Sequence, residues 1–443
     1  MSLHPTTDQP LVIVGAGPIG LAAAAHAVDR GLPVTVLEAG PNVGAAVLEW
    51  GHVRLFSPWS ELVDDAAARL LEPTGWVRPD GDSAPTGREW VEAYLRPLAE
   101  ALVERGAVLR VGSEVAGLAR RGRDRLVAQG REEVPFAVHV RTSDGHEEVL
   151  TAAAVVDASG TWGDPAPVGA DGWPAPGERG ADVAYRVPDL ADPQVRERYA
   201  GRHVAVVGSG ASAHQAVVEL AALAERVPGT EVSWLLRRHD ADGVFGGEEA
   251  DELPGRGALG SRARAAAESA YVEVVTGFRT AAVEQDGART ALVAQDGRRV
   301  VVDRVVAVTG FRPDHAWLAQ VHLDLDGELS APRDLAPEIH PAFHSCGTVS
   351  PHGAALLRQP EGGLYLVGMK SYGRAPSFLA LTGYEQVRSV VAEVAGDHEA
   401  ASRVELVLPE TGVCGVGPAY DDAGGGCCGA PATQDLVLTP TPR

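Results

Sequence analysis

The chain has 443 residues, enough for two or three domains, and its apolar content is ordinary for a globular protein. Its 38 basic and 60 acidic side chains give a formal net charge of −22, which repels nucleic acid and anionic membrane surfaces, so neither is expected as a partner. The opening residues lack the basic and apolar regions of a signal peptide, and no apolar run reaches the ~20 residues of a membrane span, so a cytoplasmic protein is expected.

The first predicted unit is a strand, a glycine turn and a helix. An apolar strand is expected over 11–14, and Gly15, Gly17 and Gly20 follow it in LVIVGAGPIG. In such a turn the first glycine permits a tight bend, the second lets a pyrophosphate approach, and the third lets helix pack on strand. The helix expected over 19–30 then points its unpaired N–H groups and positive dipole end at the phosphates.

The next predicted strand, over 34–37, ends at Glu38. This acid lies 18 positions after Gly20, close to the ~20 at which a Rossmann-type site places the carboxylate that binds a ribose hydroxyl. FAD carries a free 2′-hydroxyl on its adenosine ribose. The first unit is therefore expected to bind FAD.

Short elements are expected as far as residue 157. Thr86 and Glu89 form a capping-box pattern, which predicts a helix to about residue 105. Strands are expected over 107–111, 115–118, 136–141, 148–152 and 153–157, and the last runs into DASGTWGDP. The Gly- and Pro-rich stretch 165–180 then predicts the crossing into a second domain.

A second glycine turn follows this crossing. In HVAVVGSGASA, a strand from Val204 leads into Gly208, Gly210 and Ala213, and a helix is expected over 212–226. The strand expected over 231–236 is followed by Arg237 and Arg238 in the stretch LLRRHD. No acid stands at the ribose position. A basic pair there suits a 2′-phosphate and favours NADPH over NADH, although two arginines in solvent would give the same pattern.

The remaining elements complete an α/β architecture. A strand over 301–308 is expected to complete the second domain. A strand over 363–367 and a helix over 377–395 are then expected to belong to the first domain again. We therefore predict two Rossmann-like domains with the second inserted in the first. The predicted ranges are 1–165 and 336–396 for FAD binding, 166–335 for NADPH binding, and 397–443 for a Gly- and Cys-containing tail that is expected to be flexible.

The order of these motifs resembles that of flavoproteins with two dinucleotide-binding domains. GSGASA followed by VTGFRPD is similar to flavin-containing, Baeyer–Villiger and N-hydroxylating monooxygenases. The stretches VRLFSPW, HSCGTVSPHG and VGMKSYGRAPSF resemble bacterial flavoproteins associated with metal and arsenic resistance. The Phe-Gly-His fingerprint of strict flavin-containing monooxygenases is absent before the second glycine turn, where the chain reads AYRVPDLADPQVRERYAGRH.

The motifs and the resemblance together indicate the cofactor-binding residues. Segments that follow strands are expected to hold the phosphates, the ribose and the flavin ring. The expected FAD residues are Gly15, Gly17, Pro18, Ile19, Gly20, Glu38, Trp59, Ser159, Gly160, Gly368 and Met369. The expected NADPH residues are Gly208, Ser209, Gly210, Ala211, Ser212, Arg237, Arg238, Thr309 and Gly310.

Few side chains are candidates for chemistry. His352, in the loop sequence SPHG, is the best candidate for moving a proton, and Arg54 is expected in a pocket wall with Phe56 and Trp59. Trp59 and Phe56 fit the core equally well. Lys370 is either close enough to stabilise negative charge on a reduced flavin or an exposed lysine.

The expected activity is an NADPH-using flavin monooxygenase. With O2 as co-substrate it would oxygenate a sulfur, nitrogen or arsenic centre of a small molecule through a flavin hydroperoxide. No cysteine precedes Cys346, which argues against an ordinary disulfide reductase. Cys427 and Cys428 leave open a disulfide or metal reductase, or with Cys414 a soft-metal or arsenite site, although no zinc-ligand spacing is present. A flavin-bound sensor is the remaining alternative, and the oligomeric state is open.

Overall fold

The structure is a computed structural model that describes residues 3–248, 251, 253–342 and 349–406. Cys346, Cys414, Cys427 and Cys428 lie outside the described residues. In chain order the strands are β1 Leu11–Val14, β2 Val34–Leu37, β3 Val108–Arg110, β4 Ser113–Arg120, β5 Phe136–Thr142, β6 Glu147–Ala152, β7 Ala154–Asp157, β8 Val183–Ala184, β9 His203–Val207, β10 Glu231–Leu235, β11 Val272–Val275, β12 Thr280–Asp286, β13 Arg289–Ala294, β14 Arg299–Val302, β15 Arg304–Ala307 and β16 Leu364–Leu366.

The helices vary from four residues to sixteen. They are α1 Pro18–Asp29, α2 Ala45–Glu49, α3 Trp59–Leu62, α4 Asp65–Leu71, α5 Gly87–Trp90, α6 Arg96–Glu104, α7 Pro193–Glu197, α8 Ala211–Arg226, α9 Pro254–Ala267, α10 Ala336–Ile339, α11 Ala354–Leu357, α12 Ala380–Val394 and α13 His398–Ser402. A π-helical segment, Val91–Leu95, joins α5 to α6, and the capping box predicted at Thr86 and Glu89 is present. Within the described ranges no helix is long and apolar enough to cross a membrane.

A five-stranded parallel sheet organises the first unit, in the order β16-β7-β1-β2-β3. Leu11 and Ile13 of β1 face a core formed with α1, α4, α6 and α12. Val12 and Val14 face the opposite way, into a core shared with the antiparallel sheet β4-β5-β6. Because successive strand residues alternate between two buried faces, β1 is apolar throughout its length.

The second unit repeats this arrangement. Its parallel sheet has the order β11-β10-β9-β15-β8, with α8 and α9 over one face and the antiparallel sheet β12-β13-β14 over the other. All five strands lie in the chain between β7 and β16, which are neighbours in the first sheet. The second Rossmann-like unit is thus inserted in the first, and the predicted fold class is confirmed.

Three element predictions need correction. The strand expected over 301–308 is two strands, because the chain turns at Asp303 from the antiparallel sheet into the parallel one. The helix expected from residue 377 begins at Ala380, its preceding residue Leu379 being extended. The predicted tail is folded at its start, since α13 packs on α12 and the side chains of Ala400 and Ala401 are buried.

Candidate functional site

The first glycine turn has the backbone that a dinucleotide requires. Gly15 has φ +102°, and a Cβ atom there would lie 2.7 Å from the carbonyl oxygen of Ala158. A Cβ on Gly20 would lie 1.9 Å from the oxygen of Gly15, so the helix packs closely on the turn. A Cβ on Gly17, by contrast, would have no atom within 4 Å. The open space therefore lies at the glycine where a pyrophosphate is expected to approach.

The second glycine turn repeats these features. Gly208 has φ +135°, and a Cβ there would lie 2.3 Å from the oxygen of Val308, whereas Gly210 faces open space. Ala213, at the third position, is fully buried against its neighbours. No side chain caps the start of α1 or of α8. Both helices thus present free backbone N–H groups to an anion.

Glu38 links the end of β2 to the first glycine turn. Its Oε2 accepts a hydrogen bond of 2.8 Å from the N–H of Ala16, and its Oε1 accepts one of 2.8 Å from the N–H of Gly40. The carboxylate borders the cavity described next. The acid predicted from its spacing therefore lies beside the turn, where a ribose hydroxyl would be within reach of it.

A cavity of about 520 Å³ lies over the carboxyl ends of the first sheet. It reaches from the first glycine turn to the start of α8 in the second unit, and the open approach at Gly17 and the nearby Glu38 carboxylate suit a dinucleotide such as FAD. The predicted site residues that line it are Gly15, Gly17, Pro18, Ile19, Glu38, Arg54, Ser159, Gly160, Ala211, Ser212, Gly368 and Met369.

Other predicted residues lie around this cavity without lining it. Gly20 packs beneath the turn, while Gly208, Ser209 and Gly210 form the second turn itself. One residue separates Arg237 and Arg238 from the end of β10, and Arg237 is exposed. The hydroxyl of Thr309 donates to the carbonyl of Ala166 at 2.5 Å, and Gly310 lines a second cavity.

The second cavity, of about 180 Å³, adjoins the first. The two share Trp50 and Trp162. The rings of Trp162 and Phe311 lie 4.7 Å apart, and the guanidinium of Arg186 lies 4.0 Å from the Trp162 ring centre. Glu49 accepts a hydrogen bond of 2.7 Å from Nε1 of Trp162, which holds the ring between the two units.

These aromatic residues were not singled out by the sequence analysis. They come from segments after β2, β7 and β15, which are distant in the chain and meet only in the fold. The sequence TWGDP directly after DASG was the one available signal for Trp162, and GFRPD was the signal for Phe311.

Of the predicted residues Arg54 and Trp59, only Arg54 lines the larger cavity. Arg54 is on the rim of the larger cavity, where its guanidinium donates to the carbonyl of Ala84 and lies 3.6 Å from Glu89. Phe56 lines the cavity as expected, but Trp59 does not. Trp59 is buried in the core of the first unit, because α3 turns its ring inward.

His352 lies behind the cavity wall and lines neither cavity. It is 4 % exposed, and its Nδ1 bonds to the carbonyl of Ser350 at 3.1 Å. Its Nε2 lies 2.8 Å from the amide nitrogen of Gln386, whose Oε1 accepts from the N–H of Gly368 at 2.7 Å. Burial lowers the pKa of His352 below its usual range. The residue expected to carry a proton therefore lies behind the wall, hydrogen-bonded to Gln386.

Lys370 is buried, not exposed. Its Nζ lies 2.7 Å from Oδ2 of Asp157 and 3.0 Å from the hydroxyl of Ser159, which lines the larger cavity. Its ammonium is also 5.1 Å from the centre of the Trp317 ring. No group of His, Cys, Asp and Glu suited to a metal ion occurs among the residues that the structure describes.

The sequence comparisons agree with this geometry. The family model for pyridine nucleotide-disulphide oxidoreductases matches residues 88–340, more than half of the chain, and the model for NAD(P)-binding Rossmann-like domains matches residues 13–74. The chain belongs to the pyridine nucleotide-disulphide oxidoreductase family. The prediction of an oxidoreductase that uses a flavin and a pyridine nucleotide is confirmed at the level of this family.

Individual relatives include both oxygenases and reductases. The flavin-containing monooxygenase FMO GS-OX-like 2 of Arabidopsis thaliana is 29% identical over 246 residues, which are 50% of this chain and 49% of that protein. The match thus spans about half the length of the curated relative. The resemblance to flavin-containing monooxygenases is confirmed, while the association with arsenic resistance stays a prediction.

The fold is shared with solved structures of both kinds. The bacillithiol disulfide reductase of Bacillus cereus is similar with a TM-score of 0.63 at 19% identity, over 88% of this chain and 99% of that one. The FAD-bound cadaverine monooxygenase of desferrioxamine biosynthesis from Erwinia amylovora is similar with a TM-score of 0.61 at 14% identity, over 91% and 98%.

Proposed function

We propose that this chain is an NADPH-dependent flavin monooxygenase that oxygenates a small, soft nucleophile at a sulfur, nitrogen or arsenic centre. One observation carries the proposal: the residues that follow the two glycine turns line the same cavity. Pro18 and Ile19 begin one helix, Ala211 and Ser212 begin the other, and all four border the larger cavity. Two dinucleotides seated on these turns would have their reacting ends in the same space.

In this proposal FAD occupies the larger cavity. Its pyrophosphate lies at Gly17 and the start of α1, where a Cβ would meet no atom and the helix N–H groups are free. Glu38 binds the adenosine ribose. Ser159, Gly160 and Met369 border the flavin end of the cavity. When bound, FAD supplies hydride acceptance from a nicotinamide and electron donation to O2.

NADPH is proposed at the second turn. Gly210 offers the same open approach as Gly17, and α8 directs its N–H groups at the phosphates. One residue separates Arg237 and Arg238 from the end of β10, where the 2′-phosphate of NADPH would lie. Thr309 and Gly310 fix the backbone between the two units, since Gly310 accepts from the N–H of Ala166 at 2.9 Å.

The smaller cavity is proposed to receive the reacting end of the substrate. Its wall of Trp50, Trp162 and Phe311 keeps water away from the reaction, and about 180 Å³ admits only a compact group. For a thioether R2S, the reaction converts NADPH, H⁺, O2 and R2S into NADP⁺, H2O and R2SO. Arg54 borders the larger cavity and Arg186 borders the smaller one. Both are proposed to orient polar parts of the substrate.

The monooxygenase proposal is favoured over a disulfide reductase by the cysteine distribution. The first 345 residues contain no cysteine, so the redox-active pair of an ordinary disulfide reductase cannot come from the first FAD-binding segment or the second unit. The relationship over half its length to a flavin-containing monooxygenase supports the same choice.

The test uses the purified, FAD-loaded full chain. Anaerobic mixing with NADPH should bleach the flavin absorbance, and a second mixing with isotopically heavy O2 and methyl phenyl sulfide, an alkylamine or arsenite should give a product that contains one heavy oxygen. Recovery of all consumed O2 as hydrogen peroxide, with none of the probes oxygenated, would overturn oxygenation. Rapid reduction of a disulfide probe instead would identify a reductase, and absence of NADPH oxidation would favour a sensor.

A further inference from the structure

A buried ion pair lies directly beneath the flavin end of the larger cavity. Asp157 is the last residue of β7 and is 0 % exposed, while Lys370 follows the neighbouring strand β16 and is 1 % exposed. The ammonium and the carboxylate are 2.7 Å apart. Both groups lie past the carboxyl ends of parallel strands, which is where open α/β sheets bind their ligands.

Ser159 connects this pair to the cavity. Its hydroxyl donates to Oδ1 of Asp157 at 2.6 Å and accepts from Nζ of Lys370 at 3.0 Å. Its backbone N–H also donates to Oδ1 of Asp157, at 3.1 Å. Ser159 itself lines the cavity, as does Met369, the residue before Lys370. Two segments of the cavity wall are therefore held by a single pair of charges.

A purely structural role explains this arrangement poorly. Transferring two charged groups from water into the protein interior is unfavourable, and well-packed apolar residues often replace a buried pair without loss of stability. The ammonium also lies 5.1 Å from the centre of the Trp317 ring. The three polar groups converge on one turn, which is also the turn whose Ala158 packs against Gly15.

We propose that Lys370 and Asp157 are positioning residues for FAD and act on it through Ser159. The inference rests on the proposed placement of FAD in the larger cavity. The pair fixes the turn at residues 158–160 and the orientation of the Ser159 hydroxyl, so the cavity floor is already in place before the cofactor binds. The ammonium also offsets the Asp157 carboxylate, which would otherwise disfavour the added negative charge of a reduced flavin.

The first test distinguishes the contribution of the Ser159 hydroxyl to FAD binding from that of the ion pair. Ser159→Ala removes the hydroxyl and leaves both charges in place, whereas Ser159→Thr keeps a hydroxyl. We expect Ser159→Ala to raise the dissociation constant for FAD about tenfold, the size expected for a lost hydrogen bond to charged groups. Ser159→Thr should bind FAD nearly as the parent chain does. The readout is titration of the apoprotein with FAD, followed by flavin fluorescence.

The second test removes the charges. Lys370→Met leaves a buried carboxylate alone and should shift the midpoint potential of the bound flavin to a more negative value. Asp157→Asn/Lys370→Met removes both charges, keeps similar volumes and covers the case in which the single variant does not fold. We expect the double variant to recover thermal stability and the potential, but to retain an FAD dissociation constant about tenfold above the parent value.

Glu361→Gln is the matched control. Glu361 is a buried carboxylate with two arginine partners, Arg120 at 2.7 Å and Arg131 at 2.8 Å, and it lines neither cavity. Its replacement should lower the unfolding temperature and leave FAD affinity unchanged. The proposal is overturned if the double variant binds FAD like the parent, or if Ser159→Ala alone weakens binding while the charge variants do not. Because these readouts need no NADPH or substrate, they can fail or succeed independently of the oxygenation test.

Discussion

The Oε2 atom of Glu38 lies 2.8 Å from the backbone nitrogen of Ala16, so the acid at the end of β2 is bonded to the turn that ends β1. The other carboxylate oxygen accepts from the N–H of Gly40. Each oxygen thus has a backbone donor. The carboxylate is fixed in the direction from which a ribose could approach, and its position does not depend on a ligand.

Replacing this acid by its amide should weaken FAD binding. In Glu38→Gln one oxygen becomes an NH2 group, which cannot accept from a backbone N–H and shifts the side chain. We expect the FAD dissociation constant to rise about tenfold, since hydrogen bonds to a charged acceptor are worth more than neutral ones. Titration of the apoprotein measures this. Glu148→Gln is the control, because Glu148 of β6 is a carboxylate paired with Arg110 of β3. Equal affinities in the two variants would count against the ribose role.

The two open glycines make a sharper prediction. A Cβ on Gly17 or on Gly210 meets no atom within 4 Å, and both residues have negative φ. Gly17→Ala should therefore fold with nearly the parent stability but lose FAD, because the methyl group occupies the space of the pyrophosphate. Gly210→Ala should retain FAD and show a KM for NADPH raised about tenfold or more.

The measurements are the unfolding temperature, the flavin content after purification and steady-state NADPH oxidation. Gly20→Ala is the contrasting variant, since its Cβ would lie 1.9 Å from the oxygen of Gly15 and must disturb the fold itself. If Gly17→Ala retained a full complement of FAD, the cofactor would have to lie elsewhere.

The nucleotide preference tests the basic residues after β10. Arg237 is exposed and lies just beyond the end of β10, the strand that pairs with β9, which leads into the second turn. In Arg237→Ala we expect the KM for NADPH to rise about tenfold and the KM for NADH to stay unchanged, because only NADPH carries the 2′-phosphate. Arg226→Ala, at the far end of α8, is the matched control. Equal changes in the KM for NADPH and for NADH would mean that Arg237 does not bind the 2′-phosphate.

Local patterns explain why the two dinucleotide turns could be predicted. A glycine turn is specified by neighbouring residues, and the strand before it by an apolar run. The two turns and Glu38 therefore lie at the positions that the sequence spacing predicted. The wall formed by Trp50, Trp162 and Phe311 could not be predicted from such local patterns. It depends on three loops that meet only after both sheets have formed.

The same distinction accounts for the residues that lie elsewhere than the sequence patterns suggested. His352 stands in a loop sequence that suggests exposure, yet its ring is enclosed by α12, and Gln386 of that helix bonds to it. Trp59 was as consistent with the core as with a site, and tertiary packing decided for the core. The start of the predicted tail is folded because Arg388 and Ser389 of α12 bond to the carbonyls of Ala400 and Ala401.

Buried histidines should make the stability of the fold sensitive to acid. Burial lowers the pKa of His214 to about 4, from an ordinary value of 6.5, and burial also lowers the pKa of His315 and of His352. The unfolded chain therefore binds protons that the folded chain does not. The stabilisation is complete above pH ~6.5 and is lost as the pH falls toward the folded-state values.

For His214 the loss should reach about 2 kcal/mol of unfolding free energy by pH ~5. His214→Phe keeps a ring against Trp234, which lies 5.8 Å away in an edge-to-face arrangement, and removes the titrating group. Urea unfolding at about pH 7 and about pH 5 should show a smaller difference for this variant than for the parent chain. The exposed His146→Gln controls for removal of a histidine as such. Equal pH dependence in His214→Phe and the parent would show that His214 takes up a proton as readily in the folded chain as in the unfolded one, which its buried position on α8 against Trp234 argues against.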